Sequence, residues 1–376
     1  MRIGMDARCI LVQRTGVGNY TLNLIKGLAK IDQHNSYVLF YTWFKKPQEN
    51  ILLIDKKNFK NKVIHIPHRF LNLLWRTVRY PSVETWVGKV DVFHSPSFQL
   101  TPQKQGRSVL TIHDLCFLVY KKYAIKSSRL HYGRRIKSYA QGADAIITIS
   151  QNSKKDIINY LDISPERIFV IPAGKDQKFK PQNDPETISK IREKYRLKRA
   201  FILHVGTLEP RKNLVGLIQA YHRSKARKEY QLVIAGGKGW MYKEIFKTVE
   251  KLGLTKEVIF TGYVPEDDLP ALYSASSLFV FPSLYEGFGL PPLEAMACGT
   301  PVVTSKVSSL PEVTGDAALL VDPFNIEEIK DSIDLVLSDQ KLASSLKKKG
   351  LERAGLLTWE KTAEKTIEVY RKVLEK

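Results

Sequence analysis

Residues 277–299 read SLFVFPSLYEGFGLPPLEAMACG, and this stretch predicts the unit from which the fold is built. Its apolar start, residues 277–282, is typical of a buried strand, whereas residues 290–298 have the pattern of a helix that ends at Gly299. A glycine-rich turn separates the two. A strand, a turn and a helix in this order are the repeating unit of a parallel sheet with crossover helices.

The turn also carries candidate chemistry, because it places two carboxylates, Glu286 and Glu294, around the backbone amides of Gly287, Phe288 and Gly289. Unpaired amides at a helix N-terminus favour an anion, and carboxylates accept hydrogen bonds from hydroxyl groups. The pattern therefore suits a polyhydroxylated, phosphorylated ligand such as a nucleotide sugar. The alternative is an ordinary Glu-Gly turn followed by a helix with a first-turn glutamate.

Short apolar runs between helical patterns recur along the whole chain and predict two parallel sheets. Residues 172–199 are rich in proline and charge and look like a hinge region between them. Two doubly wound domains facing across a cleft follow from this pattern, with ligands at the carboxyl ends of the strands. The predicted strands are residues 2–6, 37–41, 62–66, 91–94, 108–113, 143–149 and 167–171 in the first half, and 201–205, 231–235, 258–261, 278–282, 302–304 and 318–321 in the second.

The 376 residues leave room for two domains of ordinary size. Three cysteines, odd in number and far apart, predict neither a disulfide framework nor a metal-ligand cluster, and they fit a reducing cytosol. No N-terminal signal pattern and no apolar run of membrane-spanning length is visible in the sequence. We therefore expect a cytoplasmic protein.

The formal net charge of +21 is concentrated in the first half of the chain. Residues 1–180 contain 30 Lys and Arg against 12 Asp and Glu, a balance of +18, whereas residues 181–376 contain 29 against 26, a balance of +3. Such a field favours an anionic partner, which could be nucleic acid, anionic lipid or a diphosphate-bearing acceptor. A solvated lysine-rich surface is the alternative.

Candidate ligand residues in the first half follow predicted strands. Gly16 and Gly18 lie between the first strand and a helical pattern, where a phosphate-binding turn or a simple helix start would be. His94 and His113 end two further strands and would point at the cleft, unless they are satisfied turn residues.

In the second half, Gly206 follows a predicted strand, and Arg211 and Lys212 lie near the start of the next helix. Two cations there oppose the helix dipole, and a bound anion would resolve that conflict. A planar guanidinium and a mobile ammonium together suit a diphosphate.

Taken together, these motifs resemble the family 4 retaining glycosyltransferases of the GT-B fold. The resemblance covers essentially the whole chain. The opening motifs of the chain resemble those of the bacterial mannosyltransferase branch that builds O-antigen and related polysaccharides. The hinge departs from the family, since residues 172–176 read PAGKD where relatives usually carry PNGVD. The motifs are residues 4–8 (GMDAR), 15–20 (TGVGNY), 111–114 (TIHD), Gly206 with residues 209–213 (EPRKN), and the pair Glu286 and Glu294.

The resemblance implies catalytic roles for His113, Arg211, Lys212 and Glu286. Arg211 and Lys212 would neutralise the donor diphosphate as the sugar–phosphate bond breaks. Glu286 and the amides that follow it would hold sugar hydroxyls, and His113 would contact the sugar near its reacting face. Glu294 would accept hydrogen bonds from the ribose hydroxyls, and Tyr263 and Val264 lie where the family packs the base. The residues expected to bind the donor are Gly16, Gly18, Gly206, Tyr263, Val264, Gly287, Phe288, Gly289 and Glu294.

The resemblance also implies the domains and the reaction. An acceptor-binding domain of residues 1–175 would include the C-terminal helix, residues 358–376, which crosses back to it, and residues 176–357 would bind the donor. The reaction would move mannose from GDP-mannose, with retention, to a saccharide or polyprenyl-diphosphate-linked saccharide. UDP-glucose, UDP-N-acetylhexosamine and rhamnose donors stay open. No cofactor is expected and no metal, because no Asp-x-Asp follows a strand and the fixed cations would serve instead.

A basic nucleic-acid-binding protein on a Rossmann-like scaffold is the rival from another class. It would account for the charge of the first half but not for Glu286 and Glu294, so we expect no nucleic-acid partner. Closer rivals are a nucleotide-sugar hydrolase or epimerase and a glycogen-synthase-like enzyme.

Residues 69–80 predict an amphipathic helix that could lie on an anionic membrane, at the cytoplasmic face of the inner membrane. The alternative is a crossover helix packed on the sheet with its arginines in water. The predicted apolar face comprises Leu71, Leu74, Trp75 and Val78, and the basic face comprises Arg69, Arg76 and Arg79.

Overall fold

The structure is a computed structural model, and it describes residues 1–11, 16–43, 54–122, 133 and 135–375. The chain divides into two compact units. The first comprises Met1–Gly174 and Trp359–Lys376, and the second comprises Lys175–Thr358. Each unit is built on one parallel sheet connected by helices, so the prediction of an α/β chain with two Rossmann-like domains is confirmed.

The sheet of the first unit has seven strands in the order β3-β2-β1-β4-β5-β6-β7. The order reverses between β1 and β4, which makes this the topological switch point of the sheet. The strands are β1 (Arg2–Asp6), β2 (Ser36–Thr42), β3 (Phe59–Ile64), β4 (Val92–Ser95), β5 (Arg107–Thr111), β6 (Ala145–Thr148) and β7 (Ile168–Val170).

The sheet of the second unit has six strands in the order β10-β9-β8-β11-β12-β13, with the reversal between β8 and β11. Its central strand β11 has the sequence LFVF and is buried throughout, as expected for a strand that is covered on both faces. All of the predicted strands are therefore present. Those of this unit are β8 (Ala200–Val205), β9 (Tyr230–Ala235), β10 (Val258–Gly262), β11 (Leu278–Phe281), β12 (Val302–Ser305) and β13 (Leu319–Val321).

The described helices connect the strands of each sheet. In the first unit they are α1 (Gly16–Ile31), α2 (His68–Thr77), α3 (Glu84–Val87), α4 (Cys116–Val119), α5 (Ile136–Gly142), α6 (Gln151–Leu161) and, from the end of the chain, α15 (Trp359–Leu374). In the second unit they are α7 (Pro185–Lys194), α8 (Leu214–Arg223), α9 (Lys243–Lys251), α10 (Leu269–Ala275), α11 (Leu290–Ala297), α12 (Leu310–Thr314), α13 (Ile326–Ser338) and α14 (Gln340–Leu356).

The C-terminal helix α15 packs within the first unit, as predicted. Its partner α1 approaches closely because Gly27 has no side chain: a Cβ there would lie 2.7 Å from the carbonyl oxygen of Trp359. Lys30 of α1 forms an ion pair with Glu360 at 2.5 Å. The helix is thus an integral part of the first unit.

The glycine-rich segment after β1 is a helix start, which is one of the two predicted alternatives. Gly16 begins helix α1, so Gly16 and Gly18 lie in its first turn rather than in a loop that precedes it. Residues 12–15, which include the start of the TGVGNY motif, lie outside the described residues. The other alternative, a phosphate-binding turn that precedes the helix, is not what the described residues form.

The apolar face predicted for residues 69–80 is divided in the structure, because two of its side chains are buried whereas Val78 is 62% exposed. Leu71 and Trp75 of α2 are 0% and 2% exposed and belong to a hydrophobic core with Phe40 and Phe93. The Trp75 indole donates a hydrogen bond to the carbonyl of Pro81 at 2.8 Å. Leu71 and Trp75 therefore pack on the sheet of their own unit, as the alternative interpretation had it, whereas Val78 does not.

Candidate active site

The predicted catalytic residues of the second unit lie at the switch point of its sheet. Strands β8 and β11 are neighbours there, and the loops that follow them run side by side. The backbone amide of Leu284 donates a hydrogen bond to the carbonyl of Arg211 at 2.8 Å, which ties the two loops together. In open α/β sheets the carboxyl ends of the strands at such a point are where ligands bind.

Four charged side chains form what we call the charge cluster: Glu209, Arg211, Lys212 and Glu286. Nη1 of Arg211 lies 2.7 Å from Oε2 of Glu286, and Nζ of Lys212 lies 2.6 Å from Oε1 of the same carboxylate. Nη2 of Arg211 lies 2.5 Å from Oε1 of Glu209. The cluster thus contains two cations and two carboxylates in direct contact.

Burial and charge act in opposite directions on these groups. Burial disfavours the ionised form of Glu286, but Arg211 and Lys212 outweigh it and lower the pKa of that carboxyl to about 2. Burial raises the pKa of Glu209, against the effect of the same two cations. Burial and the neighbouring Arg211 lower the pKa of Lys212. Glu286 is therefore the firmly ionised acid of the cluster.

This geometry changes the interpretation of the two cations. Arg211 and Lys212 lie in a 3₁₀ turn, Pro210–Lys212, just before α8, and carboxylates of the same unit balance their charge. Sequence reasoning placed Glu286 beside a sugar and left Glu209 out. Glu209 precedes Arg211 by two residues, and this spacing in the sequence does not indicate that its carboxylate contacts the guanidinium of Arg211.

The contacts of Glu286 leave limited room for a sugar hydroxyl. Lys212 and the Ser283 hydroxyl donate to Oε1, and Arg211 donates to Oε2. A carboxylate offers about four acceptor positions, so these described contacts leave roughly one, on Oε2.

The turn after Glu286 is held by two serines that the sequence gave no reason to select. Ser308 and Ser309 donate hydrogen bonds to the carbonyl of Glu286 at 2.5 and 2.9 Å, and Ser309 also donates to the carbonyl of Phe288 at 2.7 Å. Gly289 has φ +120°, and a Cβ there would lie 2.7 Å from Leu310. The turn therefore requires glycine and is braced by the loop after β12.

Glu294 lies in α11, in a separate group of residues. The Tyr273 hydroxyl donates to its Oε2 at 3.0 Å. Burial raises the pKa of Glu294 to about 7, with Glu266 and Asp176 acting in the same direction and Tyr273 and Lys178 opposing them. This carboxylate is only partly buried, and the described hydrogen bond occupies one of its two oxygens.

Gly206 lies directly after β8, where the backbone makes close contacts. A Cβ on Gly206 would lie 3.3 Å from Nε2 of His204, and a Cβ on Gly236 would lie 1.9 Å from the carbonyl oxygen of Gly206. The two glycines let the loops after β8 and β9 pack against each other.

Tyr263 and Val264 follow β10, at the same edge of the sheet. Tyr263 is 67% exposed, whereas Val264 is 6% exposed. An exposed aromatic ring is a surface on which a planar base can stack. Phe288, which was predicted to contribute its backbone amide, has a buried side chain.

In the first unit, His113 follows β5 and is 6% exposed. Its Nε2 lies 3.0 Å from the carbonyl oxygen of Pro96, and its ring meets the edge of Tyr20 at a centroid distance of 4.7 Å. Burial lowers the pKa of His113, so the ring is neutral with Nε2 protonated and Nδ1 as an acceptor. Nearby Gly18 is buried, whereas Gly16 is exposed.

His94, in contrast, is a satisfied structural residue. Its two ring nitrogens lie 2.7 Å from the Tyr370 hydroxyl and 2.8 Å from the Thr111 hydroxyl, and the side chain is fully buried. It connects α15 to the sheet.

Within the described ranges, no group of three or more His, Cys, Asp or Glu side chains is placed to hold a metal ion. Likewise, none of the helices in the described part of the chain is long and apolar enough to cross a membrane.

Two parallel-sheet domains, with paired cations and carboxylates at the switch point of the second, are the arrangement expected of a glycosyltransferase of the GT-B class. Comparisons with known proteins agree. Residues 14–179 match the model of Glycosyltransferase Family 4, and residues 187–353 match that of Glycosyl transferases group 1. The chain belongs to glycosyltransferase family 4, and it is an enzyme that transfers hexoses.

Among its relatives is the O-antigen chain mannosyltransferase B of Escherichia coli, which is 33% identical over 385 residues, covering 99% of this chain and 100% of the relative. The serotype-specific mannosyltransferase WbdA of the same species is 35% identical over 292 residues, covering 75% of this chain but only 36% of WbdA. The chain thus corresponds to about a third of WbdA.

A solved structure of HepE from Anabaena, in complex with UDP and glucose, has the same fold. Its TM-score is 0.75 at 19% identity, covering 99% of this chain and 100% of HepE.

Proposed function

We propose that this protein is a retaining, metal-independent transferase that moves mannose from GDP-mannose to a saccharide or lipid-linked saccharide during the synthesis of a cell-surface polysaccharide. The observation that carries the proposal is the charge cluster at the switch point of the second sheet. The similarity to O-antigen chain mannosyltransferase B over its full length supports mannose as the sugar and a polysaccharide as the product.

Arg211 and Lys212 act on the leaving group. When the bond between the sugar anomeric carbon and the diphosphate breaks, its electron pair stays on the diphosphate oxygen. A guanidinium and an ammonium fixed at this place stabilise that charge more in the transition state than in the bound donor. The acceptor oxygen forms its bond on the same face of the sugar, and its proton passes to the departing diphosphate.

Glu286 holds the two cations in position and presents its remaining acceptor position on Oε2 to a sugar hydroxyl. The amides of Gly287, Phe288 and Gly289 face the same part of the donor. Their turn is fixed by Ser308 and Ser309, so the site needs little reorganisation when the donor binds.

Glu294 and Tyr263 bind the nucleoside. The oxygen of Glu294 that Tyr273 leaves unoccupied accepts from a ribose hydroxyl, and the exposed ring of Tyr263 stacks on the base beside Val264. Gly206 gives the donor backbone access after β8.

In the first unit, which binds the acceptor, His113 is the catalytic residue. Its Nε2–H is held by the carbonyl of Pro96, so Nδ1 can accept a hydrogen bond from a hydroxyl of the transferred sugar. Gly16 and Gly18 lie in the first turn of α1, where the absence of side chains lets the backbone approach the donor. We assign acceptor binding to residues 1–175 with residues 358–376 and donor binding to residues 176–357, and these bounds lie within one residue of those of the two compact units.

Metal independence follows from the role of Arg211 and Lys212, which supply the charge that a divalent cation supplies in other transferases. No further cofactor takes part. Transfer in the presence of excess chelator tests this part of the proposal.

A lipid-linked acceptor brings the enzyme to the cytoplasmic face of the membrane, and the proposed contact keeps Val78, Arg69 and Arg79 of the predicted surface but replaces its buried side chains with exposed ones. Phe70, Leu73, Val78 and Tyr80 are each more than half exposed, and Arg69 and Arg79 are exposed beside them. Sedimentation with vesicles of graded anionic lipid should increase with the anionic fraction and decrease with salt. A Leu73→Ser variant should bind less, and unchanged binding would exclude this surface.

The donor is tested by thermal unfolding with GDP-mannose, UDP-glucose, UDP-N-acetylglucosamine and a rhamnose nucleotide, followed by transfer assays. A donor at 100 times its dissociation constant stabilises the native state by about 2.7 kcal/mol. Among the donors, we expect GDP-mannose to raise the unfolding temperature of the parent most. The same donor should raise the unfolding temperature of Lys212→Ala less. It should raise that of Lys349→Ala, which removes a surface ion pair with Asp316, as much as that of the parent. A larger shift with a UDP-sugar would overturn the mannose assignment.

A further inference from the structure

Glu209 is the member of the charge cluster to which the proposed reaction assigns no role. The residue is 2% exposed, and its Oε1 lies 2.5 Å from Nη2 of Arg211. Among the described residues, that oxygen accepts no hydrogen bond of regular geometry, so its contact with Arg211 is an ion pair. Glu286, in comparison, receives hydrogen bonds from Arg211, Lys212 and Ser283. A buried carboxylate oxygen that is held by one ion pair alone stabilises the charged form less well than three hydrogen bonds do.

The net charge of the charge cluster depends on whether Glu209 is ionised or protonated. The groups that face Glu209 are Arg211 and Lys212 on its own turn and Glu286 from the loop after β11. With both carboxylates ionised, the cluster has no net charge and attracts a diphosphate weakly. With Glu209 protonated, the cluster carries one positive charge, and Nη2 of Arg211 is released from its ion pair to donate to a phosphate oxygen.

We propose that Glu209 takes up a proton when a nucleoside diphosphate binds to Arg211 and Lys212, so that donor binding is coupled to protonation of this side chain. Glu209 is then a positioning residue that holds Arg211 in the empty site and releases it in the occupied one. The inference rests on the proposed function, which places the donor diphosphate on these two cations.

The surroundings of the two carboxyls support this assignment of the proton. Burial already raises the pKa of Glu209, and an approaching dianion raises it further because like charges disfavour ionisation. Glu286 stays ionised, since its pKa is lowered to about 2. Lys212 lies beside the same anion, and the charge of Glu209 raises its pKa, so the two groups are distinguished by the infrared band of a protonated carboxyl, which Lys212 does not give.

The proposal is tested by titration calorimetry with GDP and with UDP, in buffers of different ionisation enthalpy between pH 6 and pH 8. The parent, Glu209→Gln and Glu257→Gln are compared. Glu257 pairs with Arg227 at the opposite end of β10, so this control removes a paired carboxylate away from the cluster. Protons that the nucleotide itself exchanges cancel in the comparison.

We expect the parent and Glu257→Gln to take up more protons per bound nucleotide than Glu209→Gln does. The affinity of the parent should fall more steeply with rising pH, by up to about tenfold per pH unit for a full proton, whereas the profile of Glu209→Gln should be flatter. In the parent, the infrared band of a protonated carboxyl should appear when GDP is added. This measurement needs only the parent, so it tests the proposal even if Glu209→Gln does not fold.

Equal proton uptake in the parent and in Glu209→Gln, or no new carboxyl band in the parent, overturns the inference and leaves the donor site intact. If Lys212→Ala binds GDP and UDP as tightly as the parent, the diphosphate does not lie on the cluster, and the proposed function fails with the inference. The same conclusion follows if neither nucleotide binds the parent.

Discussion

Replacement of Glu294 by glutamine should make the protein more stable at alkaline pH. Burial raises the pKa of Glu294 from its usual 4.5 to about 7, so the native state prefers the protonated form. Between these two values the native state binds a proton that the unfolded chain has lost, and stability therefore falls as the pH rises from 4.5 towards 7 and stays low above it. A shift of this size corresponds to about 3 kcal/mol.

Glu294→Gln cannot ionise, and its amide oxygen can still accept from Tyr273. The variant should match the parent near pH 4.5 and exceed it by up to about 3 kcal/mol above pH 8. Denaturant unfolding of parent and variant across this range measures the difference. Glu257→Gln is the control of opposite sign, because the hydrogen bond from Arg227 lowers the pKa of Glu257. Parallel stability profiles for the parent and Glu294→Gln would refute the reasoning.

Three further outcomes can be checked. Lys212→Ala should lower turnover by roughly two to three orders of magnitude, the scale for loss of one donor to transition-state charge, and near-normal steady-state turnover would remove Lys212 from the mechanism. Excess chelator should leave the transfer rate unchanged, and stimulation by magnesium or manganese beyond about tenfold would contradict the assignment of fixed cations. Gly289→Ala should destabilise the protein by about 1–3 kcal/mol because its φ of +120° and the contact with Leu310 exclude a side chain. By contrast, Gly355→Ala, in open space on α14, should raise the unfolding midpoint slightly.

The sheets could be predicted because their strands are continuous apolar runs. β11 and β9 read LFVF and YQLVIA, and such runs between glycine-containing turns have few other interpretations. The start of α1 was harder to predict. Gly16 and Gly18 suggest a turn by their own preference, but the helix includes them because residues further along it, such as Leu24 and Leu28, pack in the core.

The candidate site could be predicted only in part, because the sequence shows which groups are present but not which of them pair. Arg211 and Glu286 are far apart in the chain, and their contact depends on β8 and β11 being neighbours. The hydroxyl of Ser308 connects a third loop to the backbone of the same turn, and no sequence motif marks this residue. The sequence likewise does not determine which face of α2 packs on the sheet, because residues 69–80 have apolar side chains on both faces.

The central claim is that Arg211 and Lys212 receive the donor diphosphate, and a crystal structure with GDP bound tests it most directly. We expect diphosphate oxygens within hydrogen-bonding distance of Nη2 of Arg211 and Nζ of Lys212, with the guanidinium no longer paired to Glu209. A diphosphate bound elsewhere, with all four side chains of the charge cluster in their present contacts, would contradict the account.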